Sequence, residues 1–196
     1  MLVLLAASGL VLASCSSSPG PPKKKSHGTT TTAPPVTTTS SPTGTTIAAA
    51  PGPPCKVSAL HVTQGGSGAA AGGAATTSYV VTNISKAACS LSGYPGIQLL
   101  AADGSNITTT LQQGGTGIPA KLTVQTVNLV RLGGQASFLV YFVAVPSKAQ
   151  PICKNAPKMK LTFPGSSNSV NTAAEIQACG GVLQVSPFQP GITAGS

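Results

Sequence analysis

The stretch LTVQTVNLVRLGGQASFLVYFVAV, residues 122–145, constrains the fold more than any other part of the chain. It consists of two apolar runs rich in Val, Leu and Phe, separated by Gly133-Gly134. A glycine pair accepts the positive φ angles of a two-residue turn, so the segment is expected to form an antiparallel β-hairpin. In the second run Ala136, Phe138, Val140, Phe142 and Ala144 share one face of a strand. Ser137, Leu139, Tyr141, Val143 and Val145 share the other, which is also mostly apolar. A strand covered on both faces lies in the middle of a packed β structure, not at its rim.

The remaining chain has room for one domain of ordinary size and a tail. Charged residues make up 7% of the 196, and there are 23 Gly, 17 Pro and no Trp. That composition favours short strands and turns around a core of small β-branched and aliphatic side chains, which disulfides would reinforce. The net charge of +9 favours anionic partners through long-range attraction but does not select among them, and solubility alone is a sufficient account of it.

Residues 1–14, MLVLLAASGLVLAS, form an apolar run that ends in small residues, too short to span a bilayer as a helix. It reads as a secretion signal. Leu12-Ala13-Ser14-Cys15 resembles the lipobox of bacterial lipoproteins, in which the cysteine is diacylated and becomes the mature N-terminus. The resemblance implies membrane lipid as a partner through Cys15, and anchoring at the outer face of the cell membrane. No Lys or Arg precedes the apolar run, a departure from such signals. Residues 15–54 follow as a disordered tether rich in Thr, Pro and Ser, including SSSPGPPKKK and TTTTAPPVTTTSSPTGTT. Its composition suits O-glycosylation, and Lys23, Lys24 and Lys25 stand near the proposed anchor.

A folded domain is expected over residues 55–191, with 192–196 frayed. KVSALHVT (56–63) reads as a first strand, QGGSGAAAGGAA as a flexible loop and TSYVVTN (77–83) as a second strand. GIQLLAA (96–102) and ITTTLQQ (107–113) are expected to pair as a hairpin about Asp103-Gly104-Ser105. After the central hairpin, KMKLTF (158–163) ends at Pro164-Gly165 and SNSVNT returns antiparallel to it. AAEIQA is the one segment read as a helical turn, and VLQVSPF (182–188) closes the domain. About eight short strands at this spacing describe an all-β antiparallel sandwich.

Besides Cys15 the chain holds Cys55, Cys89, Cys153 and Cys179, an even set that implies two disulfides in an exported protein. If strands 56–63 and 77–83 are antiparallel neighbours, Cys55 and Cys89 flank adjacent strand ends. The same argument for 158–163 and its return brings Cys153 beside Cys179. The expected bridges are therefore Cys55–Cys89 and Cys153–Cys179. Zinc is disfavoured as a competing role, because no two cysteines have C-x-x-C spacing and His61 stands alone on its strand.

Asn83, then Cys89-Ser-Leu-Ser-Gly-Tyr-Pro-Gly, Leu132-Gly-Gly-Gln-Ala-Ser-Phe, Cys153 and Cys179-Gly-Gly-Val-Leu-Gln-Val-Ser-Pro-Phe form a recognisable pattern. It resembles the actinobacterial exported domain of unknown function numbered four-two-three-two, over about residues 55–191. The resemblance implies an immunoglobulin-like β-sandwich and a cell-envelope setting. It implies no catalytic or binding residue.

Enzyme chemistry needs convergent acids, bases or nucleophiles, and the domain offers one His, one Asp and one Glu. A hydrolase using His61 and Asp103 is the alternative, but Asp103 is better explained as the turn residue before Gly104, and no G-x-S-x-G elbow occurs. The leading expectation is a non-catalytic binding or structural module that needs no cofactor or metal. Its partners would be an envelope protein, a glycan or an anionic polymer. Tyr94 in SGYPG (92–96) is either a rigid aromatic contact or a side chain packed across the end of the sandwich. Lys148, Lys154, Lys158 and Lys160 fall close together without an acidic neighbour and form a candidate basic patch. Their other reading is an edge strand whose lysines discourage aggregation. Four cations without an aromatic stacking platform do not suit nucleic acid.

Overall fold

The computed structural model describes residues 50–192, so the proposed signal, Cys15 and most of the tether lie outside the described residues. The strands are β1 (Leu60–Ala70), β2 (Ala74–Asn83), β3 (Cys89–Ser92), β4 (Gly96–Leu100), β5 (Thr110–Gln113) and β6 (Thr126–Leu129). They continue with β7 (Gln135–Val143), β8 (Cys153–Thr162), β9 (Ser169–Cys179), β10 (Val182–Val185) and β11 (Gln189–Pro190). One sheet runs β1-β2-β7-β10-β5, with β11 also paired to β7. A three-stranded sheet β4-β8-β9 and a two-stranded sheet β3-β6 complete an all-β sandwich. Among these pairings β10 with β5 is parallel and the others are antiparallel.

β7 is the interior strand its composition demands. It pairs with β2 on one side and with β10 and β11 on the other. Ala136, Phe138 and Val140 are buried on one face, and Ser137 and Leu139 on the other. The Phe138 ring stacks on Tyr79 of β2 at 5.3 Å and meets Phe188 edge-on at 5.6 Å. Phe188 in turn stacks on Phe163, which directly follows β8. Four of the seven aromatic side chains thus form one chain of rings through the core.

The expected hairpin at Gly133-Gly134 does not form. β6 pairs with β3 and β7 with β2, so the segment between them carries the chain from one sheet to another. The physical reason is Asn83, whose groups occupy the turn. Its backbone N–H donates to the Gly134 carbonyl and its carbonyl accepts from Gly133 N–H, both at 2.8 Å. The glycines are needed for different reasons than a hairpin would require. Gly133 has φ +118, while a side chain at Gly134 would strike the Val130 backbone.

Other expectations also change, beginning with the first strand, which starts at Leu60 after a 3-10 turn over Val57–Ala59. The Gly-rich stretch 64–75 is largely strand, because β1 runs on to Ala70 and turns tightly into β2 at Ala74. A register shift between Gln64 and Ser67 places Gly65 against Ser78, whose hydroxyl donates to the Gly66 carbonyl at 3.0 Å. The 103–105 turn exists, with one bridge between Leu100 and Asn106, but β5 then leaves to pair with β10. AAEIQA belongs to β9, where Ala174, Ile176 and Ala178 point into the core; burial on a strand outweighs the helical preference of alanine.

The two expected bridges are present, Cys55–Cys89 and Cys153–Cys179. Cys153 stands directly opposite Cys179 in the β8–β9 ladder, and Cys55 N–H donates to the carbonyl of Ser90, next to Cys89. Residues 52–54, read from sequence as the end of the tether, already lie along β3. The Ser90 hydroxyl donates to the Gly52 carbonyl at 2.7 Å, and Pro54 bridges Ser90.

β9 bulges opposite Pro157, where β8 has no N–H to offer. The extra residue includes Glu175 at φ +48, and the neighbouring Ala174 carbonyl accepts the fully buried Tyr79 hydroxyl at 2.8 Å. Burial, with the Glu175 charge second, pushes the Tyr79 hydroxyl well above its ordinary pKa. Its folded pKa exceeds the unfolded value of about 10, so its contribution is complete below that pH and is lost as pH rises further. Stability should therefore fall above about pH 10 by up to about 1.4 kcal/mol per pH unit from this group. A Tyr79→Phe variant should lose about 1–3 kcal/mol at neutral pH, with the Ala174 carbonyl left unpaired, and should lack that alkaline component. Urea unfolding of both proteins across this pH range checks it; parallel pH curves would contradict it.

Candidate functional site

The residues with titratable chemistry are spread over separate elements. His61 is exposed on β1, between Leu60 and Val62, which point into the core. Asp103 lies in the exposed turn after β4, where its carboxylate accepts from the Ser105 hydroxyl at 2.7 Å and the Ser105 N–H at 2.9 Å. These two bonds hold its pKa below the usual carboxylate value. The carboxylate is thereby engaged by its own turn, the role an Asp-Gly-Ser sequence takes locally. Glu175 is exposed at the β9 bulge. Among the described residues no group of three or more His, Cys, Asp or Glu is placed to hold a metal ion.

Tyr94 is half-buried and packs against the core. Its loop is tied down on one side, since the Phe188 N–H donates to the Gly93 carbonyl at 3.0 Å. Gly93 takes φ +89, which a residue with a side chain would resist. Lys158 and Lys160 alternate with buried Met159 and Leu161, and so share the outward face of β8. They stand opposite Leu100 and Gln98 on β4, and Ala173 and Asn171 on β9. β8 is the central strand of its sheet, so protection of an exposed edge is not their role. Lys154 lies beyond the bulge beside Ala178, and it borders a cavity of about 200 Å³ with Ile107, Ile152 and Gly180. Lys148 is exposed in the β7–β8 connection.

A feature absent from the sequence reading is a pair of loops joined through Asn83, which is fully buried. Its side-chain amide donates to the carbonyls of Ala87 at 2.8 Å, Val130 at 3.2 Å and Leu129 at 3.4 Å. Its side-chain oxygen accepts from the Ser85 N–H at 3.0 Å and the Ser85 hydroxyl at 2.8 Å. Leu132 N–H donates across to the Ser85 carbonyl at 2.9 Å. The loops 84–88 and 130–134 are thereby one unit. They expose Ile84 (54%), Val130 (65%) and Leu132 (64%) beside the exposed Lys86 and Arg131. Leu132 is held at φ +52, a conformation that side-chain-bearing residues avoid. An apolar groove of about 350 Å³, lined by Pro53, Pro54, Lys56, Ala59 and Ala87, adjoins the first loop. Asn-Ile-Ser after a strand gave a weak local sign of a turn, but exposure of Ile84 and Leu132 has no signature in a chain rich in aliphatic residues.

The Asn83 amide is the test of this junction. An Asn83→Asp variant keeps the shape but cannot donate to three carbonyls. It should lose about 3–5 kcal/mol, because the buried carboxylate keeps its Ser85 donors but sets its second oxygen against three carbonyl oxygens. Asn83→Ala should lose about 2–4 kcal/mol. Urea midpoints measure both, and an Asn83→Asp protein as stable as the parent would contradict the donor role.

Comparison with curated proteins and with solved structures finds no match. A family model described as a domain of unknown function, DUF4232, matches residues 55–189. The match takes in both disulfides, the whole of β1 to β10 and the Asn83 loops, and the chain belongs to this family.

Proposed function

We propose that the chain is a cell-envelope lipoprotein that displays a non-catalytic β-sandwich, as a binding or structural module, outside the membrane. The observation that carries this reading is the pair of disulfides, Cys55–Cys89 and Cys153–Cys179, in a domain preceded by a lipobox-like Leu12-Ala13-Ser14-Cys15. Disulfides persist in oxidising compartments, and an exported chain meets one. Acylated Cys15 would supply the anchor and residues 16–49 the tether. Among the described residues no helix is long and apolar enough to cross a membrane. An envelope protein, a glycan or an anionic polymer is the proposed class of partner, with Lys158 and Lys160 on the open face of β8 as a weak cationic contact.

Metabolic labelling with a clickable palmitate analogue tests the anchor. Wild-type protein should carry the label and partition into detergent, and Cys15→Ala protein should carry none. Absence of label from wild type, or its persistence in the variant, would contradict the lipoprotein reading.

A further inference from the structure

The joined loops at Asn83 present an unusual surface for so sparsely charged a protein. Ile84, Val130 and Leu132 are each more than half exposed, and Lys86 and Arg131 are their sequence neighbours. Lys56 lines the groove beside Ser85 and Ala87. Neither acidic residue of the domain, Asp103 or Glu175, belongs to these loops. Apolar side chains among cations are the chemistry of an anionic lipid interface, where the former enter the acyl boundary and the latter meet head groups.

The position of this surface agrees with that chemistry. The chain preceding the domain arrives beside it. Gly52 N–H donates to the Asn128 side chain at 3.4 Å, and β6 ends one residue later, immediately before the 130–134 loop. Pro53 and Pro54 line the same groove as Ser85 and Ala87. A chain held by its N-terminal segment therefore has this end attached to the anchor side. We propose that loops 84–88 and 130–134 are a lipid-docking surface that seats the domain on an anionic bilayer.

This proposal rests on the reading of the chain as a membrane-anchored module. In that reading the anchor at Cys15 ties the domain to the bilayer. It keeps the domain at an effective concentration in about the millimolar range at the membrane, so that weak docking suffices. The hydrogen bonds of Asn83 hold the two loops in register, so Ile84 and Leu132 meet the surface already positioned. Leu132 at φ +52 is a residue fixed by its surroundings with its side chain left in solvent.

The test uses the unacylated chain from Ser16 onward, which retains the complete core and both disulfides, sedimented with vesicles at about 10 mM lipid, so that docking with a Kd in the millimolar range is detected. One set contains equal parts phosphatidylglycerol and phosphatidylcholine, and the other phosphatidylcholine alone. Wild type should bind the anionic vesicles, more weakly as salt rises. Ile84→Asn with Leu132→Asn should weaken that binding about tenfold, since binding follows buried apolar area; asparagine tolerates the backbone at 132. Lys86→Gln with Arg131→Gln should weaken it severalfold. Val145→Ser with Ile152→Ser removes apolar side chains of similar exposure, 56% and 67%, outside these loops, and should leave binding unchanged. Matching thermal melts establish that each variant is folded. Absence of vesicle binding by wild type, or equal binding by the loop variants, would overturn the proposal. So would retention on dextran sulfate without vesicle binding, or loop-dependent self-association in its place. The acyl chain is absent from this assay, so the docking surface and the lipoprotein reading can fail separately.

Discussion

The fold depends on contact between the two sides of the sandwich through a single chain of aromatic rings. Tyr79, Phe138, Phe188 and Phe163 connect β2, β7, the residues after β10 and the end of β8. With no Trp and few aromatics, most of the core is Val, Leu, Ile and Ala, which fill space but bury less area per residue. Each aromatic pair adds about 0.5–1.5 kcal/mol beyond its buried area. The Tyr79 hydroxyl is the one polar group on these rings, and the β9 bulge turns the Ala174 carbonyl to meet it. The disulfides close the fold around this core, one tying the beginning of the domain to β3 and the other joining β8 to β9.

Asn83 decides how the chain passes between sheets. The two apolar runs around Gly133-Gly134 carry the local pattern of a hairpin. Asn83 occupies that turn with its backbone and side chain together, and β6 is left to pair with β3. The competition is between a local turn and a distant buried amide, and a residue fifty positions upstream wins it because all its hydrogen-bonding groups are satisfied there.

This explains what was legible in the sequence. β7 was readable because both its faces are apolar, and the bridges because strand order places cysteines at neighbouring ends. The strand at 77–83 was readable from its β-branched and aromatic residues, and it forms most of β2. The sheet assignment of β6 was not readable, since it follows from tertiary hydrogen bonds and not from local pattern. The Gly-rich part of β1 looked flexible because glycines there serve the close approach of Ser78, a neighbour that sequence does not announce. The proposed docking surface was harder still. His61, Asp103 and the lysines attract attention by chemical type, whereas Ile84 and Leu132 differ from core residues only in exposure, a property of the folded chain.

The claim that the chain crosses between sheets at Gly133-Gly134 is tested most directly by inter-strand backbone proton contacts in nuclear magnetic resonance spectra. The account predicts contacts between Leu91 and Val127, and between Ser78 and Leu139, the registers that join β3 to β6 and β2 to β7. Contacts joining Asn128 or Leu129 to Leu139 or Phe138, the pairs of a hairpin closed by Gly133-Gly134, would contradict it.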